Sequence, residues 1–331
     1  MKRMLCVDDL IAHMNSKNIK FEIFSITDAT PYLESNSNYF KLTSYRKNYS
    51  KYVDGPNTGK YENLDFAFLV ELSRIDVELR HVLLNMCLDI EHFLKVALVK
   101  DVEKNMKNNT GEDGYRIVSD FIAYSEDNAL DADNSPKVKK TFSFSKKIEQ
   151  SRKNPYCKDL VEKHKDNMPI WVFLEILSFG EFESLIGFYQ RTNQLSLKID
   201  IKSLDRVRQI RNAAAHNNCV INDLTSSESC IRSPRFITDF LAKAGVNENA
   251  RDKKLSNKRI NQIVHLFYIY NSVVPKSVTR TKRLLELDTL VNSRMIKHKE
   301  FFESNSVLTS TYNFFLTIVS YLVHQDTTLK Q

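Results

Sequence analysis

Glu62 to Lys107 reads ENLDFAFLVELSRIDVELRHVLLNMCLDIEHFLKVALVKDVEKNMK, a run with no glycine and no proline. Its apolar residues Phe68, Leu72, Ile75, Leu79, Leu83, Met86, Ile90, Phe93 and Ala97 recur in steps of three and four, which holds them to one stripe of an α-helix. The spacing predicts one very long helix, or two nearly continuous ones. Asp76 with Arg80, and Glu91 with Lys95, stand four apart in acid-then-base order and read as surface support for it. Immediately ahead lies the clearest turn in the chain, Asp54-Gly-Pro-Asn-Thr-Gly59.

Working outward, the whole chain takes the same character. Seven glycines and seven prolines in 331 residues are too few for a turn-rich β protein, and the fold class expected is all-α, with many helices. Short helices are expected over 6–20 and 28–34, with Pro31 tolerated in a first turn. Residues 105–145 turn polar and broken and read as an inserted loop; 142–165 returns to a helical pattern rich in bases. Pro169 then opens an apolar helix carrying the only tryptophan, Trp171, which reads as a core anchor. Glu175 inside that run fits either a buried partner for a cation such as Arg211 or a place on the polar side. Asn193 to Lys202 is a connection. Further helices are expected over 236–244, closed by Gly245, over 259–274, closed by Pro275, and near 277–298 and 307–324. The expected organisation is a core over 1–230, interrupted by the insertion at 105–145, and a C-terminal helical subdomain over 231–331.

A net charge of +7 suits an anionic partner without specifying one. Cys6, Cys87, Cys157, Cys219 and Cys230 are odd in number and scattered, which fits a reducing, cytoplasmic setting and offers no paired-ligand pattern for a metal. His265, His298 and His324 share no spacing, and neither a metal nor another cofactor is expected. Acidic residues interrupt the N-terminal segment, and no stretch reads as a charge-free membrane span, so no membrane association is expected.

The chemistry-bearing stretch is Ser203-Leu-Asp-Arg-Val-Arg-Gln-Ile-Arg-Asn-Ala-Ala-Ala-His216. With Ser203 as N-cap, a helix over 204–216 puts Leu204, Val207, Ile210 and Ala214 on one side and Asp205, Arg208, Asn212 and His216 on the other. Arg211 lies about 140° around the axis from His216, so its guanidinium reaches the same place only by its length and the nearness of the helix end. A guanidinium to hold phosphate charge, an imidazole to move a proton and an amide to orient either would make a phosphate clamp. A helix end carrying a histidine that merely favours the dipole has the same spacing. Upstream, Asn38 to Tyr52 interleaves Tyr39, Tyr45 and other tyrosines with Arg46 and lysines. That pattern suits stacking and clamping an RNA strand, or a helix with Tyr39, Leu42 and Tyr45 on its buried side and a solvated basic face.

Four blocks together carry a family resemblance: Asn38-Tyr-Phe-Lys-Leu-Thr-Ser-Tyr45; Ile75-Asp-Val-Glu-Leu-Arg80 with Ile90-Glu91; Pro169-Ile-Trp-Val-Phe-Leu-Glu-Ile-Leu-Ser-Phe-Gly180; and Arg211-Asn-Ala-Ala-Ala-His216. In this order, from about residue 5 to about 225, they resemble the abortive-infection (Abi) proteins of the AbiD/AbiF kind, a branch of the HEPN ribonuclease superfamily. The resemblance implies a HEPN-like core of long antiparallel helices and metal-independent endoribonuclease activity, in which a 2′-hydroxyl attacks the adjacent phosphate and leaves a 2′,3′-cyclic phosphate. Arg211, Asn212 and His216 would be the catalytic set. RNA-binding or supporting residues would be Arg208, Asp205, Asn222, Glu91, Tyr39, Tyr45 and Arg46, with Glu91 or Asp89 positioning the Arg-His helix. The implied biology is a phage-defence toxin acting on RNA as a homodimer, restrained by an RNA or protein antitoxin. After His216 the chain departs from the family pattern: Asn222 matches, but Cys219, Ile221 and Asp223 stand where basic and aromatic residues are usual. A non-catalytic RNA-binding or regulatory protein is the competing class, and salt-sensitive RNA binding would separate both from a purely structural helical protein.

Overall fold

The computed structural model describes residues 4–108, 110–127, 143–192, 198–227 and 233–327. Helix makes up 71% of the chain, and the described strands are two residues long, as few glycines and long periodic runs dictate. In chain order the helices are α1 Val7–Ser16, α2 Ile26–Ser35, α3 Tyr39–Leu42 (continued by a 3-10 turn, Thr43–Asn48), α4 Phe66–Lys107, α5 Arg116–Asp127, α6 Phe144–Arg152, α7 Lys158–His164 and α8 Ile170–Ile176. They continue with α9 Phe179–Thr192, α10 Ile201–Ala215, α11 Arg235–Lys243, α12 Glu248–Leu255, α13 Lys258–Val273, α14 Val278–Thr289 and α15 Ser306–Thr327. The strands β1 Ile19–Lys20 and β2 Leu64–Asp65 pair in parallel, Ile19 opposite Leu64.

Contacts divide the chain into two units, and the division differs from the expected boundary at 231. The first unit is Met1–Cys87, Gln209–Asn271 and Pro275–Gln331; the second is Leu88–Arg208 with Ser272–Val274. The C-terminal helices therefore pack with the N-terminal ones. Both α4 and α10 run from one unit into the other.

In the first unit Asp65 starts α4: its Oδ1 accepts from the Ala67 amide at 2.8 Å and its Oδ2 from the Glu22 amide at 2.8 Å. Phe66 is buried beneath Phe21, Phe24 and Tyr32. The stripe expected on α4 is buried at Leu72, Ile75, Leu79, Leu83, Met86 and Ile90, whereas Phe68, Phe93 and Ala97 are half-buried and Leu94 and Leu98 take the interior positions towards the helix end. α12 has no counterpart among the expected helices, because ENARDKKL carries almost no apolar periodicity; Asn247 caps it by accepting from the Ala250 amide at 2.9 Å.

Lys254 at its end is buried and donates to Ser310 Oγ at 2.8 Å and Thr311 Oγ1 at 2.7 Å, hydroxyls of α15. Burial pushes its pKa down to about 8, from an ordinary 10.5. The folded state therefore carries the cost of the ammonium below pH about 8 and sheds it as pH rises towards 10.5. Lys254→Met is expected to raise stability near pH 7 by about 1 kcal/mol, after loss of two hydrogen bonds, and to abolish the alkaline gain seen in wild type. Denaturant midpoints measured across that pH range check both.

α15 corrects one expectation. Ser306–Asp326 is long and apolar enough, by length and composition, to cross a membrane. In the first unit its Leu308, Phe314, Ile318, Val319 and Leu322 are buried in the protein, and 33% of the apolar window is buried in all.

In the second unit Phe121 of α5 packs edge-on against Phe173 of α8 and Phe188 of α9, at 6.0 and 5.7 Å between ring centroids. α5 occupies part of the stretch expected as a loop, since Ile117, Val118 and Phe121 supply a buried face. Residues 128–142 of that insertion, 193–197 of the connection and Cys230 lie outside the described residues. Trp171 is not a core anchor: it is half exposed and lies across Gly114. Gly114 has φ +83°, and a Cβ there would sit 2.9 Å from the indole, so this contact needs glycine. Glu175 is exposed.

Candidate functional site

The second half of α10 carries the candidate catalytic set. Asp200, rather than Ser203, begins the helix, its carboxylate accepting from the Ser203 amide at 2.8 Å and hydroxyl at 2.7 Å. Leu204, Val207 and Ile210 are buried as the spacing predicts. The helix ends because Asn217 turns left-handed at φ 60°: its amide bonds the Ala214 carbonyl at 3.1 Å and the Asn218 amide bonds the Ala213 carbonyl at 2.8 Å. His216 thus sits at the helix end with its imidazole exposed, where the helix dipole favours a cation. Arg211 and Asn212 are half-buried one turn back, and Arg211 Nη1 lies 3.3 Å from Asn212 Oδ1. The Arg211 Nε is buried and meets no acceptor among the described residues. A buried guanidinium N–H without an acceptor is costly unless a ligand oxygen supplies one.

Residues far away in sequence hold the segment after His216. Asp76 Oδ1 accepts from the amides of Val220 and Ile221, both at 2.9 Å. Arg80, four residues on, donates from Nη1 to the carbonyls of Asn217 at 2.8 Å and Asn218 at 3.2 Å. The two side chains are buried and 3.3 Å apart, yet Asp76 Oδ2 receives no aligned hydrogen bond among the described residues. Burial raises the Asp76 pKa, against the opposing pull of Arg80 and of the two backbone amides. Buried Asn48 closes the far end, donating to the Ile221 carbonyl at 2.9 Å and accepting from the Leu224 amide at 2.7 Å. The turn that fixes where His216 points is therefore clamped by α4 and by the end of the 3-10 turn after α3.

Residues 32–222 of the chain match the family described as Abi-like protein, more than half of its length. The chain belongs to the Abi-like family. No curated protein and no solved structure gives a match. The matched span encloses all four resemblance blocks, and membership points to an abortive-infection role in phage defence.

The Abi-like span brings three of those blocks to one place in the first unit: Asn38–Tyr45, Ile75–Arg80 and Arg211–His216 meet around the turn at 217–224. Tyr45 is buried, its hydroxyl lying against Asp76 and Cys219; burial, then those two neighbours, push its pKa up. It supports the clamp and cannot stack on RNA. Tyr39 and Arg46 are half-buried, whereas Phe40 between them in sequence is 83% exposed. Asn222 is half-buried with its Oδ1 buried and lacking a donor among the described residues.

The remaining expected residues are engaged elsewhere. Arg208 Nε lies 2.7 Å from Glu183 Oε2 and also pairs with Asp205, over the open face of Gly180. Burial raises the Glu183 pKa while Arg208 opposes it. These groups form an ion-paired cluster in the second unit of the Abi-like chain, one guanidinium between two carboxylates. Glu91 of that unit pairs with Lys95 at 3.2 Å, as its spacing suggested. The other spacing-based reading fails: Asp76 and Arg80 are interior. One signal was available, since Asp76 and Arg80 fall four and eight residues after Leu72, on the apolar stripe itself.

Proposed function

We propose that this Abi-like protein is a metal-independent endoribonuclease of the HEPN type, acting as a phage-defence toxin in the cytoplasm. The observation that carries the reading is the helix end itself, with an exposed imidazole at 216 and a half-buried guanidinium at 211 whose Nε lacks an acceptor among the described residues. In this mechanism the RNA 2′-hydroxyl attacks the adjacent phosphorus while the bond from phosphorus to the 5′-oxygen breaks. The proton leaving the 2′-oxygen is taken by a base, and another is delivered to the departing 5′-oxygen, giving a 2′,3′-cyclic phosphate and a 5′-hydroxyl. His216 performs one of these transfers. Arg211 stabilises the charge gathering on the phosphate oxygens, and Asn212 orients Arg211 or the phosphate.

One chain supplies one such set, so a homodimer presenting two is the working assembly proposed, with the second His216 serving the other oxygen. An RNA or protein antitoxin would restrain it by covering the basic residues around Phe40. The test is incubation of the purified protein with RNA in excess chelator, with product ends mapped enzymatically. Fragments ending in cyclic phosphate are expected. Salt-sensitive binding of uncut RNA would instead favour the non-catalytic reading, and fragments carrying 5′-phosphates would defeat the mechanism.

A further inference from the structure

The first unit contains a cleft of about 270 Å³ enclosed by α4, α13, α14 and α15, whose lining includes Leu72, Leu79, Ile263, Phe267, Phe315 and Val319. Close-packed interiors rarely leave a void larger than a water, and an apolar one stays dry unless an apolar ligand fills it. An engineered cavity of about 150 Å³ already takes benzene. This cleft is larger, yet its volume is well below what even two turns of a helix roughly 10–12 Å across would fill, so a single chain fits it and a docked helix does not.

The cleft is also braced. One wall is the π-helical turn Leu290–Arg294, a widened geometry frequent at functional sites, and Arg294 pins that turn to α4 by pairing with Glu71 and with Glu78 at 2.6 Å. Lys299, Glu303 and Asn313 of the lining are exposed and Thr309 and Tyr312 half-exposed, which gives the cleft a polar mouth, while Thr311 is buried. One cation and one anion leave that mouth without net charge but with donors and acceptors together.

We propose that this cleft binds a medium-length acyl or alkyl chain whose polar end is an uncharged hydrogen-bonding group, an amide, ester or hydroxyl. The tail lies among the aliphatic side chains and the head bonds at the mouth. Ile221 and Leu224 also line the cleft, and they belong to the segment clamped by Asp76 and Asn48 after His216. An occupant therefore touches the turn that positions the imidazole. The binding itself is independent of the proposed nuclease activity.

Calorimetry and thermal melting of the full chain with octanamide, 1-octanol, octanoate and octylamine test this. Octanamide and octanol are expected to bind saturably with a Kd below about 1 mM, at least about tenfold tighter than either charged analogue. Met295→Trp, which places an indole in the cleft from a half-buried position, is expected to weaken octanamide by about tenfold or more. Should that variant melt early, methyl shifts of Leu72, Ile263 and Val319 on adding octanamide to wild type locate the ligand instead. Absence of saturable binding by all four probes overturns the site, as would methyl shifts confined to other residues. Tighter binding of octanoate or octylamine overturns the uncharged head.

Discussion

His216→Ala is expected to lower RNA cleavage by about 10²–10⁴-fold while changing folding stability by no more than about 0.5 kcal/mol. The two effects separate because of where the residue sits. Its imidazole is exposed, and its fixed role in the fold is the backbone bond from its amide to the Asn212 carbonyl at 2.9 Å, which alanine keeps. The loss should appear in kcat more than in KM, since a proton transfer is felt in the transition state and hardly in binding. Arg211→Lys is a companion: an ammonium retains charge but cannot present the planar set of donors, so it should retain RNA binding and lose cleavage. Cleavage assays with a defined RNA, run beside melts of each variant, decide. Undiminished cleavage by folded His216→Ala would remove the imidazole from the mechanism.

Much of the scaffold was legible in the sequence because it rests on periodicity. The stripe on α4 and the buried side of α10 follow from three-and-four spacing, and the turn at Asp54–Gly59 and the stop at Pro275 follow from backbone chemistry. α12 escaped because its helix is set by the Asn247 cap rather than by an apolar face. Trp171 misled for a different reason. A lone tryptophan in an apolar run reads as interior, and nothing local reveals that Gly114, distant in the chain, offers it an open face near the surface.

The candidate site was legible only in part. Arg211, Asn212 and His216 could be placed on one helix end from spacing, and the helix end stands where spacing put it. Spacing offers Tyr39, Leu42 and Tyr45 as a buried side without deciding it against RNA stacking; Leu42 and Tyr45 are buried, Tyr39 only half so, because the 3-10 turn after α3 sets Tyr45 against Asp76. The Asp76–Arg80 clamp was hidden by its own spacing. An acid followed four residues later by a base is the commonest device of an exposed helix and outweighs the register with Leu72; the long-range partners at 217–221 establish that the pair faces inward.

Arg80→Met is accordingly expected to cost about 3–5 kcal/mol near neutral pH, the largest stability loss available from one side chain in this site. Removing the guanidinium strands a buried carboxylate and leaves the Asn217 and Asn218 carbonyls without their donor. The loss should depend on pH in a definite sense. The Asp76 pKa is already above its ordinary value, and without Arg80 it rises further, so the folded state holds a proton that the unfolded chain has released. Stability in the variant should therefore be greatest at acidic pH and fall as pH rises through the folded pKa, with a steeper slope than wild type. Adding Asp76→Asn should recover most of the deficit, because the amide oxygen still accepts from Val220 and Ile221 but carries no charge. Denaturant titrations of the single and double variants at about pH 5 and about pH 8 measure both effects. A flat pH response in Arg80→Met, or a double variant no more stable than the single, would mean that Asp76 is not the ionised partner that holds the turn beyond His216.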